Sequence, residues 1–230
     1  MKIHQIFKAN GRELPIVSIA LVLDRDAPGR GIVAVQSPEP LAGDVQIYAG
    51  INGKAALYFA GYVEQCVRID ARQQRLVIRA AAGKLAGRAP IARRNSKLAE
   101  IIGELQRLSG VAFRTAGDWP QRPVPHFVNL GPGWEALQLI GQLSGVPDWI
   151  ALEQPDKALY LGSAAEVKRR RQVLRFDPKV FTNLSATGAD CAFMPALRPG
   201  MIIRIGDSAA QEITTVNMTA ETLRLGLEFA

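Results

Sequence analysis

Leu57-Tyr58-Phe59-Ala60-Gly61-Tyr62-Val63-Glu64-Gln65-Cys66-Val67-Arg68-Ile69 is the stretch that decides the fold. Leu57, Phe59, Gly61, Val63, Val67 and Ile69 fall on one parity, and Tyr58, Tyr62, Glu64, Cys66, Arg68 and Asp70 on the other. That period of two is the pattern of a strand with one buried face. Asp70 to Gln74 is a polar turn, after which Leu76, Ile78 and Ala80 resume the apolar parity between Arg75, Val77 and Arg79. The two runs predict an antiparallel hairpin. Upstream, Gly11, Pro15, Pro28-Gly29, Gly31, Pro38 and Pro40 punctuate three more short apolar runs at the spacing of a small β sandwich or barrel. Residues 1 to about 83 therefore read as β throughout.

The same unit is written again at the end of the chain. In the first copy, Leu41, Gly43 and Asp44 open Val45, Ile47 and Tyr48, which turn at Asn52-Gly53 into Leu57 to Ile69 and then Leu76 to Ala80. In the second, Leu197, Pro199 and Gly200 open Met201 to Ile205, which turn at Gly206-Asp207 into Glu212 to Met218 and then Leu223 to Phe229. A duplicated β module within one protomer suggests a role in geometry rather than in chemistry.

Between the copies the period changes. Leu98, Ile101, Ile102, Leu105 and Leu108 recur at helical spacing after a candidate N-cap, Asn95 or Ser96, and the run stops at Ser109-Gly110. A second helix is expected over Trp134 to Leu143, after Gly131-Pro132-Gly133 and before Ser144-Gly145. The ends match, Leu108-Ser109-Gly110-Val111 against Leu143-Ser144-Gly145-Val146, each leading to an aromatic, Phe113 or Trp149. Leu152 and Leu159 to Leu161, turning at Gln154 to Lys157, close this α/β insert as a hairpin. Lys168-Arg169-Arg170-Arg171 marks the next boundary, and Gln172 to Phe176 returns to β. The expected organisation is α+β. A β-barrel or sandwich domain over 1–88 and a second β domain over 168–230 flank an α/β insert with two helices over 89–167.

The chain has 230 residues, a net charge of +7, two cysteines and two histidines. Its apolar share of 48% and charged share of 21% are those of a globular protein. Ile16 to Leu23, the most apolar stretch, is cut by Ser18 and followed by Asp24-Arg25-Asp26, well short of the roughly 18 apolar residues of a spanning helix. No stable membrane insertion is expected. Met1-Lys2-Ile3-His4-Gln5 lacks the apolar core of a secretory signal, which predicts synthesis in the cytoplasm. Cys66 and Cys191 cannot build a disulfide framework. The positive charge suits nucleic acid, an acidic partner surface or anionic lipid, and does not choose among them.

Chemistry-bearing patterns are sparse. His4, His126, Cys66 and Cys191 have no partners at metal-ligand spacing, and no nucleophile, zincin or phosphate-loop motif is present. No catalytic residue, cofactor or metal is expected, and the chain reads as a non-enzyme. His126 is expected in a Pro-rich loop, Pro120 to Phe127. The acid couples Asp24 with Asp26, Glu64 with Asp70, and Asp118 with Asp148 keep a carboxylate glycan hydrolase as a minor alternative. Solvated surface is the ordinary state of such acids. Gly131-Pro132-Gly133 could cradle an anion at a helix start, although Pro132 removes one amide. Arg88, Arg93 and Arg94 form one basic cluster, and Lys168, Arg169, Arg170 and Arg171 form another. They are candidate protein interface residues, because the arginine fork pairs with carboxylates and its stem packs. They also support the alternative of a basic nucleic-acid-binding module, without the interleaved aromatics of a stacking platform.

Phe59-Ala60-Gly61-Tyr62-Val63 in a first β domain, Trp134 to Gly145 in a helical insert, and Leu197-Arg198-Pro199-Gly200 opening a last β domain resemble the tail hub proteins of tailed bacteriophages. These are the Mu-like baseplate hub and the late-control protein D family, with relatives in contractile injection systems. The resemblance covers nearly the whole chain as an order of elements, in a compact form without room for a fused lysozyme or spike. It implies two domains like the tail-tube subunit in each protomer, so that a homotrimer presents six similar domains and matches a sixfold tube to a threefold tip. Implied partners are the tail tube or a distal tail protein, the tape-measure protein, and a central fibre, spike or second hub protein. Nucleic acid is met only transiently. The implied location is the tail tip of the virion, assembled in the bacterial cytoplasm, with a part in genome ejection.

Overall fold

The structure, a computed structural model, describes residues 2–154, 156–167 and 172–230. The chain divides into two compact units, one of residues 1–80 with 169–230 and one of residues 81–168. Strands β1 (Ile3–Ala9), β2 (Arg12–Leu14), β3 (Ile16–Asp24), β4 (Arg30–Gln36), β5 (Asp44–Ile51), β6 (Lys54–Arg68) and β7 (Gln73–Ala80) open the first unit. The second holds β8 (Ile91–Lys97), α1 (Leu98–Ser109), β9 (Phe113–Thr115), β10 (Pro123–Asn129), α2 (Gly133–Ser144), β11 (Trp149–Glu153) and β12 (Leu159–Ser163). The chain then returns to the first unit as β13 (Val173–Phe176), β14 (Phe181–Thr182), β15 (Gly188–Ala192), β16 (Ile202–Ile205), β17 (Gln211–Met218) and β18 (Thr222–Phe229).

The β6·β7 hairpin forms as expected, but the parity along β6 does not run unbroken. Register shifts lie between Ile47 and Tyr48 on the β5 side, which leaves Tyr58 as the extra residue, and between Val63 and Gln65 on the β7 side, which leaves Glu64 extra. Each bulge reverses which face a side chain takes. Tyr58, on the outer parity, is therefore buried, and Cys66 packs against the core, while Val67 and Ile69 on the inner parity are each 44% exposed.

The repeat is larger than its sequence. Strands β3-β4-β7-β6-β5-β1 follow one another in the sheet, and β14-β15-β18-β17-β16-β13 do so in the same succession. Four of the five successive pairings are antiparallel in both copies. The fifth differs, since β1 is antiparallel to β5 whereas β13 is parallel to β16. A bulge aligns the copies residue by residue: β6 shifts after Val63, and β17 shifts after Ile213. The amide of Val63 donates to the Gly43 carbonyl, and that of Ile213 to the Met201 carbonyl, both at 2.9 Å. In this alignment buried residues meet buried residues: Val45 with Ile203, Ile47 with Ile205, Leu76 with Leu225, Ile78 with Leu227, Val33 with Ala189 and Val35 with Cys191.

Where two separate barrels or sandwiches were expected, the described strands form one open path from β14 to β2. The two copies join edge to edge, Thr215 to Met218 of β17 pairing antiparallel with Leu21 to Asp24 of β3. Their apolar faces share one core, in which the rings of Tyr58 and Phe193 lie 6.0 Å apart. Burying a side chain of this kind contributes on the order of 1.5–3 kcal/mol.

In the second unit Leu98, Ile101, Ile102 and Leu105 of α1 are buried, as their spacing predicts, against Ala136, Leu137 and Ile140 of α2 and Leu159 and Leu161 of β12. Leu108, at the end of the series, is 36% exposed. Neither Asn95 nor Ser96 caps α1. Lys97 precedes it in extended conformation with no side-chain cap, and the Leu98 amide donates instead to the Arg122 carbonyl at 3.1 Å. The segment expected as a Pro-rich loop is largely strand β10, paired with β8 and placing His126 opposite Arg94. The Ser-Gly-Val helix ends repeat as geometry. Ser109 Oγ donates to the Leu105 carbonyl and accepts from the Val111 amide; Ser144 Oγ donates to the Gly141 carbonyl and accepts from the Val146 amide. Gly110 and Gly145 follow at φ 69° and 70°, left-handed conformations that favour glycine.

Candidate assembly interface

The strand edge where the copies join is built on the β17 bulge. Beyond it, Val216 and Met218 are buried against the core, Thr215 and Asn217 are half-buried, and the Arg25 amide donates to the Thr214 carbonyl at 2.9 Å. The Arg25 guanidinium closes the end of the junction. Its Nη2 lies 2.9 Å from Asp26, and its Nη1 lies 3.1 Å from Glu228 and 3.5 Å from the buried Glu212. Hydrogen bonding to Asp26 leads the effects that raise the Arg25 pKa above its ordinary value.

The bulge alignment makes Gln65, Cys66, Val67 and Arg68 of β6 the counterparts of Thr215, Val216, Asn217 and Met218. Strand β5 leaves β6 at the Asp44–Tyr62 pair, so among the described strands only β7 pairs with Gln65 to Arg68. This edge is exposed except at half-buried Cys66. Leu41 approaches this stretch, its amide 3.4 Å from Cys66 Sγ, while Val67 and Ile69 stay exposed.

The three arginines proposed as one cluster serve different partners. Arg88 Nη2 donates to the Leu130 carbonyl at 3.4 Å, Arg93 Nε lies 2.6 Å from Glu104 Oε2, and Arg94, next on β8, points to the opposite face of that strand. All three are exposed. Lys168, Arg169, Arg170 and Arg171 lie outside the described residues.

The candidate chemical groups have structural partners. The Asp26 amide donates to Asp24 Oδ1 at 2.9 Å, and Glu64 lies 3.1 Å from Arg79. Asp148 accepts from Ser163 Oγ at 2.7 Å and from the Ala165 amide at 2.9 Å. The Ser163 hydrogen bond leads the effects that hold the Asp148 carboxyl below its ordinary pKa, which suits a capping anion and not a proton donor. At Gly131-Pro132-Gly133 the Gly133 amide donates to the Gly87 carbonyl at 3.0 Å, and Glu135 sits in the first helical turn, a poor setting for an anion. Both cysteines are free thiols, and burial pushes Cys191 up to about 11. Among the described residues, no group of three or more His, Cys, Asp or Glu is arranged to hold a metal.

No protein-family model matches the chain. An uncharacterised 58.7 kDa protein of Haemophilus phage HP1, encoded in the lys 3′ region, is 22% identical over 205 residues, covering 88% of this chain. The chain spans only 38% of that relative's length. The 43 kDa tail protein of prophage MuSo2 from Shewanella oneidensis has the same fold at a TM-score of 0.74, with 10% identity, over 100% of this chain and 98% of its own. The Escherichia coli protein c3393, a type VI secretion component described as structurally similar to the T4 phage tail proteins gp27 and gp5, gives a TM-score of 0.64. Its identity is 10%, over 97% of this chain and 76% of its own. The fold is therefore that of phage tail proteins and their secretion-system counterparts.

Proposed function

We propose that this chain is a structural tail protein and acts as a trimeric hub at the distal end of a tail tube. The observation that carries the reading is the doubled strand order within one protomer, aligned by a bulge and joined edge to edge. Two similar modules per chain turn three copies into a ring of six similar modules, which reconciles sixfold and threefold neighbours. The likeness of the fold to phage tail proteins supports the tail. The tube or a distal tail protein would lie on one side of such a ring, and a central fibre, spike or second hub protein on the other. The tape-measure protein would meet it along the axis.

The test is the mass of the assembled species. Native mass spectrometry of the purified chain, together with a reconstruction of tail tips containing it, should give three copies in a closed ring. A ring of six copies, or a chain that stays monomeric in both settings, would remove the hub reading while leaving the tail fold intact.

A further inference from the structure

We propose that the outer face of the β8·β10 ribbon docks an apolar segment of a different protein that carries a carboxylate at each end. The ribbon extends beyond the Ile91–Asn129 pair through an isolated antiparallel bridge between Arg88 and Pro132, and the Ala89 amide donates to the Gly131 carbonyl at 2.9 Å. Burial alternates along it. Ala89, Ile91 and Phe127 are buried in the core shared with α1 and α2, and Asn129 is buried beside them. The other parity is exposed, with Arg88, Pro90, Ala92 and Arg94 on one strand and His126, Val128 and Leu130 on the other.

Val128 is 60% exposed and Leu130 64%, and with Ala92 and Pro90 they make an apolar centre. Arg88 and Arg94 bracket that centre six residues apart, about 20 Å along an extended strand. No Asp or Glu stands on this parity of either strand. Arg93, on the opposite parity, is held by Glu104 at 2.6 Å, whereas neither Arg88 nor Arg94 has a carboxylate within ion-pair distance among the described residues. Arg88 Nη2 reaches the Leu130 carbonyl, which keeps the guanidinium beside the apolar centre and leaves most of its donors for a ligand. An arginine fork pairs with carboxylates while its stem packs on apolar surface.

Charge selects the occupant. Two copies laid face to face would set arginines against arginines with no acid to offset them, so this face does not suit a second copy of the chain. A strip two strands wide, about 20 Å by 10 Å, is far below the roughly 800 Å² that each partner gives to a stable contact between domains, and is the footprint of one segment. Nucleic acid would meet two cations separated by apolar side chains, with no Phe, Tyr or Trp on the face for stacking. A segment with apolar residues in its middle and a carboxylate at each end satisfies both arginines and covers Val128 and Leu130. The inference goes beyond the hub reading and does not depend on the number of copies.

The probe is a synthetic peptide with glutamates six residues apart enclosing valines at alternate positions, titrated into the isotope-labelled full-length chain and followed by NMR. Its control carries lysines in place of the glutamates. The acidic peptide should shift the amide resonances of residues 88–94 and 126–131, bind at least about tenfold more tightly than the lysine peptide, and weaken as salt rises. Arg88→Glu with Arg94→Glu should reverse the preference between the peptides, and Val128→Ser with Leu130→Ser should weaken the acidic one, both with the tryptophan melting transition unchanged. A chain that binds the two peptides equally, or neither at about millimolar concentration, overturns the inference. So does a chain that sediments with phosphatidylglycerol vesicles and ignores the acidic peptide, which would make the face a lipid contact. A monomeric chain that binds the acidic peptide as expected overturns the hub reading and leaves this one standing.

Discussion

Gly61 is the residue whose replacement most directly tests the sheet geometry. It pairs with Val45 of β5 on one side and Ala80 of β7 on the other. A methyl group there would overlap the Arg79 carbonyl oxygen and lie 2.8 Å from its carbon and 2.9 Å from the Ala80 Cα. These atoms are backbone, and β7 is held from behind by seven pairs to β4, so no side-chain rotation relieves the contact. Gly61→Ala should therefore cost about 2–3 kcal/mol, the upper part of the range for overpacking. At about 2–4 °C per kcal/mol for a domain of this size, the melting temperature should fall by roughly 4–12 °C.

The three tryptophans, Trp119, Trp134 and Trp149, all lie in the 81–168 unit. Tryptophan fluorescence therefore reports that unit, while circular dichroism is dominated by the strands of the other. Gly61→Ala should move the dichroism transition. Gly103→Ala, on the exposed face of α1 with nothing within 4 Å of the added carbon, should instead raise the fluorescence transition through about 0.8–1 kcal/mol of helix propensity. A dichroism transition for Gly61→Ala that stays within about 1 °C of wild type would refute the close approach of β6 and β7.

Tyr58→Phe should leave stability unchanged or raise it by up to about 1–3 kcal/mol in denaturant titration, because the buried Tyr58 hydroxyl has no hydrogen-bond partner among the described residues. The Arg198 guanidinium, 4.0 Å over the ring, keeps its partner in the variant. Ser144→Ala removes the buried hydroxyl bonded to the Gly141 carbonyl and the Val146 amide, and should lower the fluorescence transition by about 1–2 kcal/mol. Ser109→Ala, at the less buried equivalent site, should cost less in the same assay. Asp148 has a lowered folded-state pKa, so its contribution is present above the unfolded carboxylate pKa of about 3.9 and disappears as pH falls through the lower folded value. Urea titrations across that acid range should show a steeper loss of stability in wild type than in Ser163→Ala, which lacks the leading hydrogen bond; parallel curves would refute that assignment.

Local chemistry made much of this protein legible in sequence. The polar turn after Ile69 and the apolar alternation on either side specify the β6·β7 hairpin. The spacing of Leu98, Ile101, Ile102 and Leu105, ended by Ser109-Gly110, specifies α1, and the matched Ser-Gly-Val endings reappear as matched hydrogen bonds. All of these rest on interactions between residues close along the chain. The parity of β6 was legible only in its middle, because a bulge is a mismatch in length between two strands and leaves no mark in either one alone.

The tertiary structure decided what depends on distant residues. Strands β14 and β15 are too short for periodicity, so the repeat was readable over three strands and not over six. The pairing of Asp24 with Thr215 brings together residues far apart in the chain, and no local pattern encodes it. The same is true of the exposed β6 edge, which is recognised only because its counterpart in the second module has a partner. Sequence wrote two similar modules through local propensity. Only the sheet decided that they join where β17 meets β3, while the equivalent stretch of β6 pairs with β7 alone among the described strands.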